Sequence, residues 1–259
     1  MSKVLITGSS DGLGLMAAQR LLATGHEVVL HARNQKRAQD AQAAAPQAHG
    51  VVVGDLASIA ETRGLADQAN RVGPFDAVIH NAGVGNSQRR IETVDGLEHI
   101  FAINVLGPYL LTALIELPKR LIYLSSAMHR GGDPDFNDLQ WKGRRWNWSQ
   151  AYSDSKFFDA VLAFAMARRW PDVRSNAVDP GWVATKMGGR GAPDDLDRGS
   201  ETQAWLAVSE DAGAMVSGAY FYHKKPQRIN PAASDVTVQD ALLAACEELT
   251  GTPMPGQRL

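Results

Sequence analysis

The chain has 259 residues, 44% of them hydrophobic and 21% charged, an ordinary globular composition that excludes disorder and collagen-like repeats. A formal net charge of −2 argues against a nucleic-acid or membrane-surface footprint, and the one cysteine, Cys246, excludes an internal disulfide and a cysteine-based metal cluster. No apolar run approaches the ~20 residues that span a bilayer, and the first strand starts almost at Met1, so the expectation is a soluble, cytoplasmic protein with no secretory leader and no bound metal.

Short apolar runs alternate with longer stretches of helical period. In chain order the pattern predicts a strand at Lys3 to Thr7, a helix at Leu13 to Thr24 with Gly25 at its C-cap, and a strand at Glu27 to Ala32. A helix at Asn34 to Ala45, a strand at Gly50 to Val53, a helix at Ile59 to Val72 and a strand at Phe75 to His80 follow. One long helix is predicted from about Asp95 to Leu117, ending at Pro118, before strands at Arg120 to Leu124, Val173 to Val178 and Gly218 to Tyr222. Further helices are predicted at Tyr152 to Trp170, Gly199 to Ser209 and Val236 to Leu249. Short apolar strands each followed by a helix predict an α/β fold: one parallel sheet of seven strands, helices on both faces, and a single domain over residues 1–259. Three Gly-, Pro- and Trp-rich excursions, at residues 129–149, 185–197 and 224–233, follow carboxyl ends of strands, the edge at which open parallel sheets bind ligands.

The first strand runs into Thr7-Gly8-Ser9-Ser10-Asp11-Gly12-Leu13-Gly14. Gly8 permits a tight turn, Gly12 lets backbone N–H groups approach a pyrophosphate, and Gly14 lets helix pack on strand, with the helix N-terminus adding partial positive charge. The spacing differs from the G-x-G-xx-G dinucleotide fingerprint. With Asp55-Leu56, Asn81-Ala82-Gly83, Asn104, Ser125-Ser126, Tyr152-Ser153-Asp154-Ser155-Lys156 and Pro180-Gly181 following in order, the chain resembles the short-chain dehydrogenase/reductase family over nearly its whole length.

The resemblance implies a doubly wound Rossmann fold and a nicotinamide cofactor held by Gly8, Ser9, Ser10, Asp11, Gly12, Leu13 and Gly14. It adds Asp55 and Leu56 at the adenine, Asn81 to Gly83 under the adenosine ribose, Tyr152 and Lys156, and Pro180, Gly181, Val183 and Thr185 beside the nicotinamide. The end of the second strand reads Leu30-His31-Ala32-Arg33-Asn34, with no carboxylate for a ribose 2′-hydroxyl and an arginine able to fork onto a 2′-phosphate. That favours NADP(H), with NAD(H) as the alternative.

A free tyrosine holds its proton too tightly to act as a base at neutral pH. Tyr152 and Lys156 stand four apart on a predicted helix and so share a face, where the cation favours the tyrosinate. By the resemblance Ser126 orients the substrate oxygen, Lys156 also holds the nicotinamide ribose, and Asn104 opens its helix and joins the proton relay.

Ser126 and Tyr152 are separated by 26 positions, and the intervening Asp-Leu pair and histidine are similar to the retinol dehydrogenase and protochlorophyllide reductase branch. Trp141, Trp146 and Trp148 either line an apolar pocket or pack the insertion as a satellite core, and His129 reads as a loop histidine without a role or as a polarising group. The expected activity is interconversion of a ketone or aldehyde with an alcohol on a small, apolar or aromatic substrate. The alternative is a cofactor-sensing protein on the same fold. The apolar outer positions of the helices around Asn104 and Tyr152 allow a homodimer or homotetramer.

Overall fold

The computed structural model describes residues 1–256. Its strands are β1 (Lys3–Ile6), β2 (Glu27–Ala32), β3 (Gly50–Val53), β4 (Ala77–His80), β5 (Arg120–Leu124), β6 (Arg174–Asp179), β7 (Tyr220–Tyr222) and β8 (Lys225–Pro226). They form one sheet in the order β3-β2-β1-β4-β5-β6-β7-β8. Every pairing from β3 across to β7 is parallel; β8 alone runs antiparallel, against β7. β8 lies outside the seven predicted strands. It is two residues long, contains a proline, and is turned back by His223 and Lys224 at φ 49° and 61°, so its sequence carries no strand signal.

The apolar runs serve two cores, one on each face, which is why they do not alternate with polar residues. Leu5 and Val29 point into a cluster built with α3 (Ile59–Val72), α5 (Gly107–Leu114), α6 (Trp148–Arg169) and α8 (Val236–Thr250). Val4, Ile6, Val28 and Leu30 point into the other, against α1 (Gly12–Ala23), α2 (Gln35–Ala44) and α7 (Glu201–Val208). β1 lies between β2 and β4, so the crossovers diverge there and a crevice opens at its carboxyl end.

Two helix boundaries differ from the pattern in ways that matter for the site. The predicted helix from Asp95 to Leu117 is instead a short α4 (His99–Phe101), a π-helical segment Ala102–Leu106, and α5. Gly96 at φ 74° breaks the entry, and Glu98 starts α4 by accepting the Ile100 and Phe101 N–H groups. α6 begins a turn earlier than predicted because Asn147 caps it, accepting the Ser149 and Gln150 N–H groups. No helix among the described residues is long and apolar enough to cross a membrane, and those residues contain no cluster of three metal-ligating side chains.

Candidate active site

The glycine turn is held from below by groups that its sequence does not display. Gly8 N–H donates to His31 Nδ1 at 2.9 Å, so Nε2 carries the proton and donates to the Gly54 carbonyl at 2.8 Å. Burial keeps His31 neutral by lowering its pKa. Ser9, among the predicted cofactor contacts, is buried and donates to the Ile6 carbonyl while accepting the His31 N–H, so its hydroxyl serves the turn. A methyl group at Gly14 would lie 2.4 Å from Asn81 Nδ2, which shows how closely α1 packs on the end of β4. Asn81 in turn donates to the Thr7 and Gly8 carbonyls, and the Asn81 and Ala82 N–H groups donate to Thr7 Oγ1. Asp55 accepts the Ala57 N–H, while Leu56 is buried against Gly107.

The turn fits an anionic cofactor on one direct observation. α1 has no side-chain cap from Asp11 and no acid in its first turn, so its N-terminal dipole is not offset there. Gly12, at φ 54°, presents open space: a Cβ there would meet no atom within 4 Å. Asp11 points elsewhere. Its Oδ2 lies 2.7 Å from Arg37 of α2 and 2.6 Å from Lys186 of the 185–197 excursion, and the two cations hold its pKa low against the opposing effect of burial. Arg37 also donates to Ser10 Oγ at 3.1 Å. Arg33 is exposed and has no hydrogen-bonding or ion-pair partner among the described residues. Arg37 and Lys186 thus stand against the turn, and Arg33 follows the end of β2. In the sequence Arg37 and Lys186 look like ordinary solvated side chains; only the fold brings α2 and the excursion onto Asp11.

Tyr152 and Lys156 share a face of α6, with Lys156 Nζ 5.7 Å from the tyrosine ring centroid. Burial raises the Tyr152 pKa; Lys156 and the Ser126 hydroxyl lower it, while Asp159 and Asp179 oppose them. The phenol is thus protonated at neutral pH. Ser126 caps the 3-10 turn Ala127–Gly131, and its hydroxyl accepts the Met128 N–H at 3.3 Å. Ser125 is buried and donates to the Lys156 carbonyl at 2.6 Å, tying the end of β5 to α6.

Asn104 is the residue around which the helix opens into its π turn. Its amide donates to the Val84 carbonyl and to Ser155 Oγ, both at 2.9 Å, and accepts the Val84 N–H at 2.8 Å. Gly83 lies where a Cβ would be 3.4 Å from both Asn104 Oδ1 and Lys156 Nζ, which brings the two predicted relay residues to one point.

Past β6, Gly181 at φ 85° follows Pro180, and its N–H donates to Asp179 Oδ1 at 2.9 Å. Val183 is buried and bridges to Asp194, and Thr185 Oγ1 accepts the Gly188 N–H, so the excursion is folded back on itself. In the other excursion Trp141 is buried, meets Trp146 edge to face at 5.4 Å, and carries the Arg144 guanidinium 3.6 Å above its ring. Those two tryptophans are satellite core with Ile100 and Ala151; Trp148, partly exposed on the first turn of α6, is not part of it. His129 is no idle loop residue: it is buried, donates from Nδ1 to the Ser126 carbonyl at 2.7 Å, and accepts the Asn230 N–H on Nε2.

Residues 2–119 match the family model described as short chain dehydrogenase. An uncharacterized oxidoreductase of Emericella nidulans is 44% identical over 99% of this chain and 100% of its own. Human retinol dehydrogenase 13 is 31% identical over 98% of this chain and 86% of its own. A crystal structure of an uncharacterized protein from Mycobacterium paratuberculosis superposes with a TM-score of 0.83 at 28% identity, covering 98% of this chain and 95% of that one. Glycine turn, Asn81, Asn104, Ser126, Tyr152 and Lys156 meet along one sheet edge in a chain of that descent: it belongs to the short-chain dehydrogenase family and is an NAD(P)-dependent oxidoreductase.

Proposed function

We propose that the protein is an NADP(H)-dependent carbonyl reductase, reversible as an alcohol dehydrogenase, acting on an apolar or aromatic ketone or aldehyde. The observation that carries this reading is the Tyr152 ring set 5.7 Å from the buried Lys156 ammonium, with the Ser126 hydroxyl adjoining the phenol. The nicotinamide supplies or removes hydride when bound. The chain's own groups manage the oxygen and its proton. Ser126 and Tyr152 bind the carbonyl oxygen, and Tyr152 Oη gives its proton as negative charge develops there. Lys156 stabilises the phenolate left behind, and Asn104 holds the open helix turn beside it.

The choice of NADP(H) over NAD(H) rests on the cations. Arg33 follows the end of β2, exposed and with no partner among the described residues, and Arg37 and Lys186 flank the turn, paired with its Asp11. Together they suit a 2′-phosphate, and no carboxylate follows β2 to bind a 2′-hydroxyl.

One experiment addresses both points. The enzyme is mixed with NADPH and a panel of ketones, aldehydes and quinones, and oxidation of the cofactor is followed for wild type, Tyr152→Phe and Arg33→Asp. Turnover by wild type and a loss of at least about 100-fold in kcat for Tyr152→Phe are expected. Arg33→Asp should raise the KM for NADPH far more than that for NADH. Unaltered turnover in Tyr152→Phe overturns the mechanism, and equal losses with both cofactors overturn the cofactor assignment. Tight NADPH binding with no turnover on any carbonyl identifies a cofactor sensor instead.

A further inference from the structure

Lys156 is ion-paired with a carboxylate three residues on. Its Nζ lies 2.7 Å from Asp159 Oδ2 and donates to the Leu124 carbonyl at 2.8 Å, with both side chains almost wholly buried. An ammonium has three protons. Two are committed here, and the Tyr152 ring, centred 5.7 Å from Nζ, and Gly83 also adjoin the ammonium. A buried lysine without an anion is costly, and a buried pair is held in one geometry only when its other donors are satisfied. Asp159 supplies the anion, and the Leu124 carbonyl satisfies a second donor.

We propose that Asp159 is a positioning residue for the Tyr152–Lys156 pair: it fixes the ammonium beside the active site and offsets part of the positive charge that Lys156 presents to the Tyr152 phenol. This rests on the reading of Tyr152 as the proton donor. Coulomb interaction from Asp159 opposes Lys156 at Tyr152, and the pair keeps Lys156 protonated despite its burial; burial also pushes the Asp159 carboxyl up to about 7 against the pull of Lys156, so its offset is complete only above that pH, where the Tyr152 midpoint is read.

Other titratable groups face the site from the elements packed on α6. On β5, Tyr123 is held neutral by burial, and it hydrogen-bonds Thr112, which contacts His80 of β4, itself neutral. Asp179 of β6 is the other carboxylate felt by Tyr152, and Tyr220 of β7 adjoins it as a neutral phenol. His129, on the 3-10 turn packed against α6, is kept neutral by burial, and Arg130 beside it is exposed. Farther along α6, Asp154 is engaged by Arg144 and Arg168 by Asp240 of α8, while Glu98 is spent on the start of α4.

The test compares wild type, Asp159→Asn and Asp159→Glu as cofactor-bound enzymes. The pH profiles of carbonyl reduction and alcohol oxidation are measured, and Tyr152 ionisation is read from tyrosinate absorption against the matching Tyr152→Phe form. Asp159→Asn should move the Tyr152 midpoint to lower pH by about one unit, roughly tenfold more phenolate at a given pH below it, whereas Asp159→Glu should return the wild-type midpoint even where its turnover is reduced. A midpoint in Asp159→Asn that is unchanged or higher overturns the proposal, as does an equal shift in Asp159→Glu. Unimpaired turnover in Tyr152→Phe would instead remove the reading on which it rests, so the two failures are separable. Were Asp159→Asn to misfold, the Asp159→Glu ionisation curve read against wild type decides alone: a midpoint unlike the wild type's overturns the proposal.

Discussion

A methyl group added at Gly85 would lie 2.8 Å from Cδ2 and 3.1 Å from Cε2 of Tyr152, so the loop after β4 forms one wall of the tyrosine's seat. At those distances the ring must shift to make room, and its hydroxyl shifts with it. Gly85→Ala should therefore lower kcat by about 100-fold, the scale expected of roughly 1 Å of misplacement, while the KM for the cofactor changes less. Steady-state kinetics decide it: a kcat within twofold of wild type would show that the seat is not formed there. At this scale the sequence displayed Tyr152 and Lys156 plainly, because a four-residue spacing on a helix is itself a statement about geometry. His31, Arg37 and Asp159 were not legible. An imidazole within the apolar run Val28-Val29-Leu30 reads as core, and only the register Ile6↔Leu30 shows that it comes under Gly8. Asp159, three after a lysine, reads as half of a solvated pair until α6 proves buried along most of its length.

The π segment Ala102–Leu106 shows what an element can do that a residue list cannot. A regular helix through these five positions would satisfy its own backbone; the widened turn instead gives Asn104 the reach to bind both the N–H and the carbonyl of Val84. The segment thereby fastens α5 to the loop that follows β4 and seats Gly83 beside Lys156. π turns of this kind occur mostly where function has displaced regularity. Asn104→Ala would leave the half-buried Val84 N–H and the buried Ser155 hydroxyl without their Asn104 partner, with a cost of about 2–4 kcal/mol expected from the lost hydrogen bonds. A lowered denaturant midpoint at unchanged slope checks it, and a midpoint equal to wild type would mean that the amide does not hold the turn. Hydrophobic periodicity predicted an uninterrupted helix from Asp95 to Leu117 because a π turn leaves the apolar pattern almost intact. The strand–helix alternation was readable for the opposite reason: each strand feeds two buried cores and so stands out as an unbroken apolar run.

Across the whole molecule, three imidazoles lie buried under the carboxyl edge of the sheet: His31 below the glycine turn, His80 at the end of β4, and His129 below Ser126. Burial lowers the pKa of each, that of His80 to about 3 from an ordinary 6.5. The sign follows from linkage. A group whose folded pKa is depressed contributes stability present above its unfolded value and lost as pH falls toward its folded one, because the unfolded chain takes up the proton first. Burial raises Glu98, Asp154, Asp179 and, to about 7, Asp159, and these act in the opposite sense as pH falls, so the wild-type curve alone blends the two. A difference isolates the histidine. His80→Gln can still bond Thr112 but does not titrate, and below pH 6.5 wild type should lose stability relative to it by about 1.4 kcal/mol per pH unit. Denaturant unfolding of both proteins between pH 8 and pH 4.5 measures this, with about 2.7 kcal/mol expected at the lower end. Parallel curves would mean that His80 accepts its proton in the folded state. Because the same edge carries Tyr152, Ser126 and the glycine turn, acid should dismantle the site's floor before the helices that cover the sheet, and loss of cofactor binding should precede loss of helical signal on the acid side.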